Sequence, residues 1–81
     1  MIIEVREGRF NLSLTDKTFG KSITYYRNKC QLTQIELASN VGIRLDRFIN
    51  IEAGFKIPRI NELEKLATEL DISITELVRR R

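Results

Sequence analysis

The sequence has no histidine, no tryptophan, one cysteine and one proline among its 81 residues. Lacking histidine, it lacks the commonest general base of enzyme catalysis. Cys30 has neither a second thiol to close an internal disulfide nor an imidazole with which to share a zinc ion. No apolar run approaches the ~18 residues of a membrane helix, and the start MIIE lacks the basic opening and long apolar stretch of a signal peptide. One domain fits the length, and such a chain is too short to enclose a small-molecule pocket of ~300–1,000 Å³. These absences predict a cytoplasmic protein that is not an enzyme and carries no metal, cofactor or small-molecule ligand.

What charge there is lies unevenly. The net balance is 0 over residues 1–20, +4 over residues 21–59 and −1 over residues 60–81. A polyanion would find its positive surface in the middle of the chain, although an ordinary solvated face has the same composition.

Residues 2–14 alternate apolar and polar: Ile3 and Val5 precede Gly8, and Phe10, Leu12 and Leu14 follow it. Period two with a glycine turn predicts a β-hairpin or strand leader, placed at residues 1–16 and needing a surface to lie on. Residues 17–81 then read as helical. Asp16 and Thr18 are candidate caps, and Phe19, Ile23, Tyr26 and Cys30 share one helical face, with Cys30 read as a buried apolar residue. Thr33 with Glu36 and Ser73 with Glu76 are capping boxes, each with a hydrophobic staple, Leu32 with Leu37 and Ile72 with Leu77. Pro58 breaks the chain before a face made by Ile60, Leu63, Leu66, Ala67 and Leu70. The helices fall at about 18–30, 34–40, 45–52, 60–70 and 74–79.

Within residues 34–53, Leu37, Val41, Ile43, Phe48 and Ile51 supply one buried side for two helices that cross sharply. Ala38 allows their close approach, and Gly42 supplies the turn. The stretch LTQIELASNVGI at 32–43, FINIEAG at 48–54, Pro58 and LDISITEL at 70–77 resembles the phage repressor and Cro type of helix-turn-helix, the xenobiotic-response-element family. The resemblance spans roughly residues 19–78. It implies an all-α, five-helix repressor-like DNA-binding domain, here preceded by the β leader.

In proteins of this type the second helix of the motif lies in the major groove. Carried over by position, the base-reading candidates are Arg44, Leu45, Asp46, Arg47, Ile49 and Asn50. Arginine suits guanine, asparagine suits adenine, and apolar groups meet the thymine methyl. Leu45 and Ile49 have outer core or dimer contact as alternatives, and Arg44 and Arg47 have phosphate contact. Gln34, with the amides at the start of its helix, and Lys56 and Arg59 are the phosphate candidates, with Lys21 and Lys29 behind them. The tail Arg79, Arg80, Arg81 reads as solvated. The resemblance further implies a structural salt bridge between Arg27 and Glu52. Several positions depart from the pattern. Gln31 replaces a glycine, so the first helix is expected to end without a left-handed cap. Arg44 and Arg59 stand where serine or threonine would cap, and Ala53 lacks a polar group for phosphate.

The expected partner is double-stranded DNA, bound by a homodimer on a pseudo-palindromic operator. The dimer contact is expected at Ile74, Leu77 and Val78 or at the leader. The competing expectation is an antitoxin or regulatory partner that keeps this fold and docks another protein.

Overall fold

The computed structural model describes residues 18–78. Five helices follow one another: α1 Thr18–Lys29, α2 Gln34–Val41, α3 Leu45–Ala53, α4 Ile60–Glu69 and α5 Ile74–Val78. The expected fold class is corrected to an all-α, five-helix domain, because no β-strand occurs among the described residues. The leader expected at residues 1–16, and Asp16 as a cap, lie outside them.

Every helix contributes to one core. Phe19, Ile23 and Tyr26 come from α1, Leu37, Ala38 and Val41 from α2, Phe48 and Ile51 from α3, Leu63, Leu66 and Ala67 from α4, and Leu77 from α5. Leu32, Ile72 and Val78 pack on its margin. Two apolar positions expected in helix faces leave it. Ile60 starts α4 and is 63 % exposed, beyond the reach of the neighbouring helices. Cys30 is exposed, because α1 ends at Lys29 and the apolar period stops with the helix.

The helix ends show how local chemistry sets the path. At α2, Thr33 Oγ1 accepts from the Glu36 amide at 3.0 Å and Glu36 Oε1 accepts from the Thr33 amide at 2.8 Å, so both halves of the capping box are made. At α5, Ser73 Oγ accepts from the Glu76 amide at 3.0 Å. The expectation that α1 lacks a left-handed cap is corrected: Gln31 itself takes φ 58°, and the Leu32 amide returns to the Arg27 carbonyl at 3.1 Å. Hydrogen bonds that close the turn stabilise a conformation that glycine would adopt with less strain. Asp71, at φ 59°, closes α4 in the same manner.

Two glycines hold α3 in place for different reasons. Gly42 turns the chain from α2 towards α3 at φ 73°, a left-handed conformation. Gly20 lies where α1 crosses α3, and a Cβ there would fall 2.1 Å from the Glu52 carbonyl oxygen. The missing side chain is what lets α1 rest on the backbone of α3.

Candidate DNA interface on the third helix

Phe48 and Ile51 are buried and fix which side of α3 faces the core. The 3.6-residue period then turns the other side outward. Arg44, Leu45, Asp46 and Ile49 are exposed, and Asn50 is half-buried. Leu45 and Ile49 are 39 % and 41 % exposed, which places them on the surface of this chain.

Arg44 precedes the helix in an extended conformation and makes no side-chain cap. Its guanidinium turns to Asp46, with Nη2 2.9 Å from Oδ2 and Nε 3.3 Å from Oδ1. The hydrogen bond from Arg44, aided by the Arg47 amide, holds the Asp46 carboxyl below the usual carboxylate range. The Arg44 guanidinium is shifted upward by the same hydrogen bond and charge. Both side chains are largely in water, so this pair adds little to the fold. It sets an exposed guanidinium at the start of the helix.

Arg47 is arranged differently. Its Nε and Nη2 donate to Glu62 Oε2 and Oε1 at 3.0 and 2.9 Å, and Nη2 also donates to the Ile57 carbonyl at 3.1 Å. Glu62, on α4, accepts as well from the Arg59 amide at 2.7 Å. Hydrogen bonds from Arg47 and from that amide hold the Glu62 carboxyl below the usual range against the cost of its burial. Since its folded pKa is depressed, Glu62 contributes stability that is present above the ordinary carboxylate pKa and lost as the pH falls below it. Thermal unfolding followed from neutral into acid pH should therefore show a smaller acid loss in Glu62→Gln than in the native protein. Parallel curves would show that the carboxylate carries no such linkage.

Arg44, Asp46, Arg47, Asn50, Lys56 and Arg59 line one groove of about 370 Å³. The structure thus brings together four of the proposed base-reading positions and two of the proposed phosphate positions. Gln34 stands apart, at the start of α2, where its Nε2 donates to Glu52 Oε1 at 2.8 Å. Glu52 also accepts from Arg27 Nε at 2.8 Å, and Arg27 Nη1 donates to the Leu32 carbonyl at 2.8 Å. One carboxylate therefore ties α1, the start of α2 and α3 together. Lys21 and Lys29 are exposed on α1, with Lys29 Nζ 5.5 Å from the Tyr25 ring centre.

Of the expected dimer residues, Ile74 is 39 % exposed and Val78 is half-buried, whereas Leu77 is fully buried in the core of its own chain. Tyr26 Oη donates to Glu76, which helps seat α5 on α1. Sequence reasoning missed Glu62. Its signal was a glutamate three residues after Arg59, the capping-box position of α4, with the arginine supplying only its amide. Gly20 was missed too, although a glycine inside a helix is a known mark of close packing.

An α2–α3 pair joined by the Gly42 turn, which buries one side of α3 and turns the other, with its basic groove, outward, is the arrangement of a helix-turn-helix DNA-binding domain. The sequence profile of the Helix-turn-helix family matches residues 23–77, and the chain belongs to that family. It is a sequence-specific DNA-binding transcriptional regulator. Among solved structures it is similar to the restriction-modification controller protein C.AhdI from Aeromonas hydrophila, at 32% identity over 74% of this chain and 91% of that one, with a TM-score of 0.71. It is similar to the N-terminal DNA binding domain of SinR from Bacillus subtilis, at 28% identity over 82% of this chain and 97% of that one, with a TM-score of 0.76. The master regulator for biofilm formation SinR in complex with DNA gives 31% identity over 75% of this chain and 98% of that one, with a TM-score of 0.72. No curated protein matches the sequence. The family and these relatives are regulators rather than enzymes. No helix among the described residues is long and apolar enough to cross a membrane.

Proposed function

We propose that residues 17–81 form the DNA-binding unit of a repressor of the phage repressor and Cro type, which acts in the cytoplasm as a homodimer on a pseudo-palindromic operator. The observation that carries this reading is the outward side of α3, where Arg44, Leu45, Asp46 and Ile49 are exposed beside Asn50 and make no part of the core. Arg44 reads guanine through its fork, Asn50 reads adenine, and Leu45 and Ile49 meet thymine methyls. Asp46 steadies Arg44 and complements the positive end of α3. Gln34, Lys56 and Arg59 hold phosphates on either side. Structures of SinR with DNA and of the controller C.AhdI, both above 30% identity, support this reading.

One domain of this size covers little groove, and a dimer that spans two half-sites about 34 Å apart supplies the missing contact area. Ile74 and Val78 on α5 offer the apolar contact for it.

Selection of bound fragments from random DNA should return two inverted half-sites. On that site, Arg44→Ala should weaken binding by roughly tenfold and relax the preference at one base pair in each half-site. An unaltered base preference in Arg44→Ala would remove Arg44 from the reading set. Selected fragments with a single half-site would count against the dimer.

A further inference from the structure

Arg47 sits on the reading helix and lines the outward groove, yet its guanidinium is tied to α4 and to the loop before it. Its Nε and Nη2 are engaged within the chain: that edge meets both oxygens of Glu62, and Nη2 also meets the Ile57 carbonyl. The side chains of Arg47 and Glu62 are 24 % and 10 % exposed, against 83 % for Arg44, so Arg47 and the arginine just before α3 live in different surroundings. Moving Arg47 onto a base would leave a nearly buried carboxylate with only the Arg59 amide and, at 3.5 Å, the Arg59 guanidinium. Removing one partner from such a pair is costly, because the group left behind is poorly solvated.

The pair also has a place in the fold that suits a brace. Arg47 belongs to the first turn of α3 and Glu62 to the first turn of α4, and between them runs the loop that carries Lys56 and Arg59. The Ile57 carbonyl and the Arg59 amide, at two points of that loop, are both held by the pair. A single ionic cluster thereby fixes the distance between the reading helix and the loop that meets phosphate.

We propose that Glu62 is a positioning residue for DNA reading, which holds Arg47 as a strut between α3, α4 and the intervening loop, so that Arg47 itself touches neither base nor phosphate. This rests on the DNA-reading role of α3 set out above. Of Arg44 and Arg47, sequence discrimination then falls to Arg44, and Arg47 and Glu62 act as one unit.

Random-DNA selection and salt-dependent affinity would be measured for the native chain, Arg47→Met, Glu62→Gln and the double variant, each first shown to be folded by circular dichroism at the binding temperature. Met retains the bulk of the arginine stem, and Gln retains an acceptor for the Arg59 amide, so both variants are chosen to keep the fold. In each single variant, specific affinity should fall by roughly fivefold, less than most single base mismatches cost, with the selected sequence unchanged at every position. The double variant should bind no worse than the weaker single one, because both remove the same strut. The slope of log affinity against log salt should be the same for Arg47→Met as for the native chain.

Relaxed preference at one base pair in Arg47→Met but not in Glu62→Gln would overturn the proposal by making Arg47 a base reader. A slope reduced by about 0.9 would overturn it by making Arg47 a phosphate contact. Additive losses in the double variant would show that the two residues act separately. If either variant is unfolded, Arg47→Lys replaces it: the charge stays, the fork is lost, and a base or phosphate role would again appear in the selected sequence or the slope. A native chain that selects no sequence would defeat the DNA-reading role first, and this inference with it.

Discussion

Arg27→Met is expected to lower the stability of the protein by about 3 kcal/mol, the lower end of what stranding one member of a buried ion pair costs. The side chains of Arg27 and Glu52 are only 13 % and 6 % exposed, and Nε and Nη2 of the arginine both donate to the carboxylate. Methionine fills the space of the stem but leaves Glu52 with Gln34 as its remaining side-chain donor among the described residues. That surviving bond is why the lower end applies. The Leu32 carbonyl also loses the donor that Nη1 provides. For a domain of this size the melting temperature should drop by roughly 15 °C. Lys29→Met removes the same charge from a fully surface position two residues away and should change stability by no more than about 0.5 kcal/mol. Thermal unfolding of the two variants side by side decides the matter. Equal losses would mean that the general charge of α1, and not the Arg27 geometry, sets its stability.

Gly20→Ala separates two opposing effects by the sign of its result. Judged as a helix residue alone, alanine is better than glycine by about 1 kcal/mol. Judged by space, its methyl group would lie 2.1 Å from the Glu52 carbonyl oxygen, 2.6 Å from the carbonyl carbon and 2.7 Å from the Ile51 carbonyl oxygen. These atoms are backbone and cannot rotate away, so α1 must lift off α3 and disturb the packing of Ile23 and Phe48. Overpacking of this kind costs up to about 3 kcal/mol and sometimes more, and a net loss of about 2 kcal/mol is expected. Denaturant unfolding should show a lower midpoint with little change in slope. A stabilised Gly20→Ala would show that the α1–α3 crossing has slack. By contrast, a Cβ at Gly42 meets nothing within 4 Å, so its only demand is the left-handed φ.

The parts of the fold that were legible in the sequence are those set by neighbours in the chain. Thr33 and Glu36 are three residues apart and cap each other whatever the rest of the molecule does. The period that buries Phe48 and Ile51 also turns Arg44, Leu45, Asp46 and Ile49 outward, so the exposed side of α3 followed from the helix alone. Legibility failed where the answer depended on how helices dock. Arg47 looked like Arg44 in sequence, but α4 arrives beside one and not the other and brings Glu62 with it. Leu77 was expected at a dimer contact, yet it is the residue by which its short helix enters the core of its own chain. Cys30 and Gln31 were misread for a smaller reason: a periodic pattern does not say where its helix stops, nor that a glutamine will take the left-handed turn there.

Glu52 joins α1, α2 and α3 through Arg27 and Gln34, while Phe48 and Ile51 seat the inner side of α3. The scaffold and the outward side of that helix are thus separate sets of residues. Positions 44, 45, 46 and 49 have no share in the core, and substitutions at such positions commonly alter stability by only about 0.5 kcal/mol. Such a helix is mounted as an exchangeable cassette: its fixed inner side can accept new outward side chains without being rebuilt, and under the proposed reading role these would bring new operators.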